Sequence, residues 1–184
     1  MKLRRKQIKL KNGETLVLTS PKIENAQEMA DYYNTMITET RFVASDILDS
    51  KATMESQEKW INQSLNDEKS LIVIAQIGGK IVGMGNINPK GTKRVRYRHV
   101  CLIGVSVLKQ FWGLKIASAI INELINFAKK TGYEQIELDV VSTNEGAIHL
   151  YKKFGFVEEG HLTHAMKYTD GTYADFIKMQ KFLI

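Results

Sequence analysis

One cysteine and two prolines in 184 residues leave this chain without the means for an internal disulfide or a thiolate metal cluster. The cysteine, Cys101, lies in a strand-like apolar run and reads as a small core residue. No apolar run approaches the ~20 residues of a membrane span, and the start Met-Lys-Leu-Arg-Arg-Lys lacks the apolar stretch of a signal peptide behind it. His, Asp and Glu never cluster at ligand spacing, so no metal is expected. No Gly-x-x-x-x-Gly-Lys-Ser/Thr loop is present, and Gly83-x-Gly85 falls inside a strand-like segment, which argues against nucleotide hydrolysis. Repeats, low-complexity tracts and linkers are absent too. The expectation is a cytoplasmic protein with no membrane contact, in a single domain spanning 1–184.

Hydrophobic residues make up 43% and charged residues 25% of the chain, values ordinary for a globular fold. The formal charge is +6, which suits a polyanion or a phosphorylated small molecule. Basic residues gather at Lys2, Arg4, Arg5, Lys6, Lys9 and Lys11, read as a solvated tail, and at Lys90, Lys93, Arg94, Arg96 and Arg98, read as a solvated loop or an approach to a phosphate. No basic and aromatic face at a recognisable module's spacing points to nucleic acid.

Strands and helices alternate along the chain. Thr15 to Thr19 reads as a strand, and Ser20-Pro21 as the start of a helix with Ile23, Ala26, Met29, Ala30 and Tyr33 inward. A second helix is expected over Thr53 to Leu65, with Met54, Trp60, Ile61 and Leu65 inward. Leu71 to Ile77 and Lys80 to Ile87 form a hairpin about Gly78-Gly79. A strand from His99 to Val107 breaks at Trp112-Gly113 into a helix reaching Thr131, with an apolar stripe of Ile116, Ile120, Ile121, Leu124, Ile125 and Ala128. Ile136 to Val141, a helix from Asn144 to Phe154, and a hairpin about Thr169-Asp170-Gly171 complete the order. This pattern implies an α/β fold: a mixed, mostly antiparallel central sheet with helices on both faces.

The strand-to-helix junction at Trp112 to Ser118 aims free backbone N–H groups and the positive helix end at one point, where a pyrophosphate would sit. Downstream, Asn144, Ala147, Tyr151, Gly155 and Phe156 fall at the spacing Asn-x-x-Ala-x-x-x-Tyr-x-x-x-Gly-Phe. With these residues the chain resembles the GNAT superfamily of acetyl-CoA-dependent N-acetyltransferases, most closely from His99 to Met179. Two positions depart from that family's turn: Trp112 stands where Gln or Arg is usual, and Lys115 replaces a glycine. Lys115 is either strained at positive φ, by roughly 1–3 kcal/mol, or already helical, where it costs nothing and adds a cation beside the phosphates; the helical conformation is expected.

The resemblance implies acetyl-CoA as cosubstrate, bound at Trp112, Gly113, Leu114, Lys115, Ile116, Ala117 and Ser118, with the backbone of Ile103, Val105 and Val107 facing the pantetheine arm. Gly104 suggests a bulge in that strand. Ser118 is either a phosphate ligand or a plain helical serine, and Asn144 a cofactor-orienting group, a helix cap, or both. Tyr151 matches the family's general acid. For the general base, His99 is the leading candidate, because histidine is poised near neutrality, with Glu137 and Asp139 as rivals. Between the first two helices, Glu39 and Arg41 are candidate acceptor contacts or loop solvation, the acceptor being a small-molecule or protein amine. The expected reaction is direct transfer to the amine without an acyl-enzyme, since Cys101 has no adjacent base. A silent acyl-CoA-binding regulator is the alternative, and a homodimer is left open.

Overall fold

The computed structural model describes residues 2–46, 48–49, 51–91 and 95–184. Its strands are β1 (Lys6–Lys9), β2 (Thr15–Thr19), β3 (Leu71–Ile77), β4 (Lys80–Pro89), β5 (Val100–Val107), β6 (Gln135–Val141), β7 (Val157–Lys167) and β8 (Tyr173–Phe182). The helices are α1 (Ala26–Glu39), α2 (Met54–Leu65), α3 (Ile116–Lys130) and α4 (Glu145–Lys153). One sheet runs in the order β1-β2-β3-β4-β5-β6-β8-β7. Neighbours are antiparallel except β5 and β6, which run parallel because α3 carries the chain back between them.

Both faces of the first half of the sheet are covered. Leu71 to Ala75 of β3 are buried without alternation, as expected for a strand with helices above and below. On one face, Ile116, Ile120, Ile121 and Leu124 of α3 pack with Leu16, Val73, Ile136 and Met179. On the other, Met29, Tyr32, Met36 and Ile61 of α1 and α2 pack with Ile72, Ile74 and Met84. A Cβ at Gly85 would lie 2.3 Å from Ile120 Cγ2, so the missing side chain lets α3 lie close on β4.

Four local expectations give way. The basic N-terminus is no free tail: Lys6–Lys9 pairs with β2, and Lys6 Nζ lies 2.7 Å from the otherwise buried Glu123 carboxylate on α3. Its four residues are all exposed, so periodicity carries no trace of the strand. Ser20 does not cap α1; its hydroxyl accepts the Leu3 N–H at 2.9 Å, and α1 begins after a 3-10 turn at Ile23–Asn25. Met54 is exposed, because Thr53 caps α2 by accepting the Ser56 N–H and turns the first helical residue outward. The β4–β5 register runs unbroken through Gly104. A Cβ there would come 2.9 Å from Asn86 Oδ1, so this glycine makes room for a side chain on the next strand and forms no bulge.

Candidate active site

β5 and β6 pair only over Val100–Leu102 and Gln135–Glu137; beyond that the strands part. The Leu108 N–H donates to Val82 and the Val100 carbonyl accepts from Lys90, so even-numbered positions of β5 bond to β4. Strand alternation then turns the N–H and C=O groups of Ile103, Val105 and Val107 toward the opening. One of these is occupied: the Trp112 indole N–H donates to the Val107 carbonyl at 2.7 Å.

At the end of β5 the chain makes a 3-10 turn over Lys109–Phe111 and enters α3 through Gly113 and Lys115, both left-handed, at φ 81° and 63°. The expected helical Lys115 is thus corrected. It stands just before the helix, and its carbonyl accepts the Ala119 N–H, while a left-handed lysine costs roughly 1–3 kcal/mol. The N–H groups of Ile116, Ala117 and Ser118 belong to the first helical turn, which has no preceding carbonyls to bond.

A cavity of about 650 Å³ fills the opening. Val105, Val107, Gly113, Lys115, Ala117 and Ser118 form one wall, and α4 forms the opposite wall with Asn144, Ala147 and Tyr151. The cavity crosses the sheet to reach Met36 on α1. Asn144 caps α4 by accepting the Ala147 N–H at 3.2 Å. Tyr151 is 9% exposed and packs edge-on against Phe156, ring centres 5.6 Å apart. Burial pushes its phenol up to about 12, so it remains a proton donor across the physiological range. Cys101 is also pushed up to about 12 by burial, its thiol donating to the Gln135 carbonyl. It is no nucleophile.

A second cavity, of about 900 Å³, adjoins the first on the α1 side. Thr40, Phe42, Trp112 and Thr143 line both and form the passage between them. Glu39 and Arg41 stand in its wall, each already engaged. Glu39 accepts the Lys109 N–H at 2.7 Å. Arg41 donates to Asp170 and Thr172 at 2.9 and 3.0 Å and lies over the Tyr168 ring at 3.9 Å, and the Tyr168 hydroxyl donates back to the Arg41 carbonyl. Arg41 therefore straps the segment after α1 to the β7–β8 turn and is not a free guanidinium awaiting a carboxylate.

The structure brings together Val105, Val107, Trp112, Gly113, Lys115, Ile116, Ala117, Ser118, Asn144 and Tyr151 at the first cavity, and Glu39 and Arg41 at the second. Ile103 and Leu114 line neither, although the Ile103 backbone faces the opening just past the last paired residue. His99 is not brought in. It precedes β5 at the closed end, its carbonyl accepting the Glu134 and Gln135 N–H groups, roughly 25 Å from Val107 at ~3.3 Å per residue. The second basic group shares that end. Lys90 bonds Glu137, Arg96 and Arg98 are exposed, and Lys93 and Arg94 lie outside the described residues.

Glu137 is unsuited to accept a proton. Burial alone would raise its carboxyl, but hydrogen bonds from Lys90 and Lys178 overcome that and hold it below the usual carboxylate range. Asp139 is exposed on the same sheet face, with no ion-pair or hydrogen-bond partner among the described residues. Absent from the sequence expectations were His164, Tyr168, Tyr173 and Asp175, which line the second cavity from the β7–β8 hairpin. The aromatic pair flanking Thr169-Asp170-Gly171 was the available signal.

A mixed sheet parted between its two parallel strands, with a helix start and a buried tyrosine facing the gap, is the architecture of an acyl-CoA-dependent transferase. Residues 30–156 match the acetyltransferase (GNAT) family, and the chain belongs to that family. It is 35% identical over 102 residues to an uncharacterised N-acetyltransferase of Methanocaldococcus jannaschii, covering 55% of this chain and 44% of that protein. It is 31% identical over 96 residues to N-acetyltransferase 8 of Rattus norvegicus, covering 52% and 43%. The match thus spans less than half the length of these relatives. Among solved structures, a GNAT-family acetyltransferase from Streptococcus pneumoniae superposes with TM-score 0.86 and 28% identity over 91% of this chain and 99% of that one. An acetyltransferase from Salmonella typhimurium, solved with its cofactor acetyl-CoA, shares the fold at TM-score 0.82 and 15% identity, over 92% and 94%.

Proposed function

We propose that the protein is an N-acetyltransferase that moves an acetyl group from acetyl-CoA directly to a primary amine of a small molecule or a protein. The observation that carries this reading is the cavity through the parted β5 and β6, which joins a phosphate-type helix start to a second, acceptor-sized cavity. The residues present fit the cosubstrate. The α3 start and the Lys115 ammonium suit its pyrophosphate, and the unpaired backbone of Val105 suits the amides of a pantetheine arm.

The amine enters through the passage between Thr40, Phe42, Trp112 and Thr143. Its nitrogen attacks the thioester carbonyl carbon, a C–N bond forms, and the C–S bond breaks. Backbone N–H groups of β5 directed into the gap stabilise the oxyanion. Tyr151 donates to the departing sulfur and hands on the proton released by the new amide nitrogen. Because thiols ionise near ~8.5, well below this phenol, Tyr151 acts as a donor that is restored within the same step.

Calorimetric titration with acetyl-CoA, using CoA and ATP for comparison, tests this reading. Micromolar or tighter binding selective for the CoA compounds is expected, followed by amine-dependent thiol release in an amine screen. Equal binding of ATP, or no binding, would reduce the resemblance to one of fold.

A further inference from the structure

The β7–β8 hairpin is irregular at one place. Between Leu162 and Met166 the register with β8 shifts, and His164 takes φ 51°, the only left-handed residue besides Lys115 that is not glycine among the described residues. A bulge re-aims the side chain it carries, and a non-glycine residue stays left-handed only where its surroundings hold it. Here they do. The His164 N–H donates to Asp175 Oδ1 at 2.8 Å, Asp175 Oδ2 lies 3.0 Å from His161 Nε2, and the His164 ring stacks on Tyr173 with centres 4.5 Å apart. His164 thereby lines the second cavity, whose passage to the first is formed by Thr40, Phe42, Trp112 and Thr143.

We infer that His164 is the general base that takes the proton from the acceptor amine. The inference rests on the acetyl-transfer reading above. The amine arrives as an ammonium, with an ordinary pKa of about 10.4, and cannot attack until it loses a proton. The imidazole accepts that proton at a ring nitrogen, and the freed lone pair forms the C–N bond as the C–S bond breaks. The second amine proton goes to sulfur through Tyr151, and His164 releases its own to solvent. Overall, an ammonium and a thioester give an amide, a thiol and one proton. The apolar passage at Phe42 and Trp112 assists, since desolvation lowers the proton affinity of an amine.

The charged and titratable groups around the imidazole are Tyr173 and Asp175 of β8, His161 of β7, Lys167 of β7 with its ammonium 5.4 Å from the Tyr173 ring centre, Tyr168 of the turn, and Glu39, Arg41 and Lys109 of the cavity wall. The backbone N–H of His164, then His161, hold Asp175 below the usual carboxylate range. Asp175 therefore stays an anion near neutral pH and serves as a positioning residue.

The left-handed backbone makes the test clean, because glycine and asparagine both accept that conformation. His164→Gly and His164→Asn are compared with wild type for acetyl-CoA affinity by calorimetry and for the pH profile of kcat/KM with the best amine of the screen. Expected are unchanged acetyl-CoA affinity, at least a hundredfold loss of kcat/KM at pH 7, loss of the acid limb of the profile, and partial rescue of His164→Gly by added imidazole. Retention of that limb with activity within threefold of wild type overturns the assignment. Wild type that binds acetyl-CoA but acetylates no amine overturns it together with the transfer reading, whereas intact transfer by both variants removes His164 alone.

Discussion

The two cavities meet at four residues yet are built by different means. The cofactor-side cavity takes most of its walls from a short stretch, Val105 to Lys153, and from main chain and core: strand backbone, a helix start, and a tyrosine 9% exposed. The second cavity takes most of its walls from Glu39 to Phe42 and from His164 to Asp175, more than 120 residues apart in the chain. Exposed side-chain contacts hold those two segments together. The first wall is backed by the core, while the second is held by exposed contacts at the surface. On the proposed reading, chemistry is thus tied to folding on one side, and specificity is freed from it on the other.

Breaking the core behind the first wall has the largest expected effect. Ile120 is fully buried where α3 lies on Gly85, and Ile120→Ala is expected to remove about 2–5 kcal/mol in urea unfolding. A loss under about 1 kcal/mol would detach the wall from the core. Next comes Tyr151→Phe, for which kcat should fall roughly a hundredfold, about 2.7 kcal/mol, with acetyl-CoA affinity nearly unchanged. Unaltered turnover would remove the phenol from the reaction.

Acid should open the seam where the halves join. Glu137 has its carboxyl depressed in the folded state, so its stabilisation is complete above the ordinary carboxylate range and is lost as pH falls below about 4.5. Glu137→Gln should flatten the dependence of thermal midpoint on pH in that acid window, and an unchanged slope would show that the two lysines do not act through it. Lys115→Gly should relieve about 1 kcal/mol of backbone strain and raise the midpoint by roughly 2–4 °C, while weakening acetyl-CoA binding most at low salt. Smallest in stability is Arg41→Ala. An ion pair whose two partners are both more than half exposed contributes little to stability, so the midpoint should hardly move while KM for the amine rises several-fold. A larger fall in acetyl-CoA affinity than in amine affinity would contradict the division between the walls.

The first wall was largely legible in the chain. Strand alternation, the α3 stripe and the Asn144 to Phe156 spacing are local signals, and they located β5, α3, β6 and α4 to within a few residues. Lys115 was not legible, because its left-handed backbone follows from how β5 and α3 meet and not from the side chain it carries. β1 left no periodicity, since its four residues are all exposed and it is itself an edge of the sheet. The acceptor wall was the least readable. Arg41 meets Asp170 only after the sheet has closed, and His164 enters the cavity through a register shift that no pattern of apolar residues encodes. His99 was selected as a titratable group near a strand, a criterion blind to which end of the strand opens.

The three-residue seam between β5 and β6 also bears on how long the protein survives. With few hydrogen bonds joining the two halves of the sheet, a molecule lodged in the opening bridges them and resists their separation. A ligand present at a hundred times its dissociation constant adds about 2.7 kcal/mol to the folded state. Amide hydrogens of β6 and β8 should therefore exchange faster than those of β3 and β4 in the free protein, and proteolytic lifetime should lengthen as the cellular supply of that ligand rises.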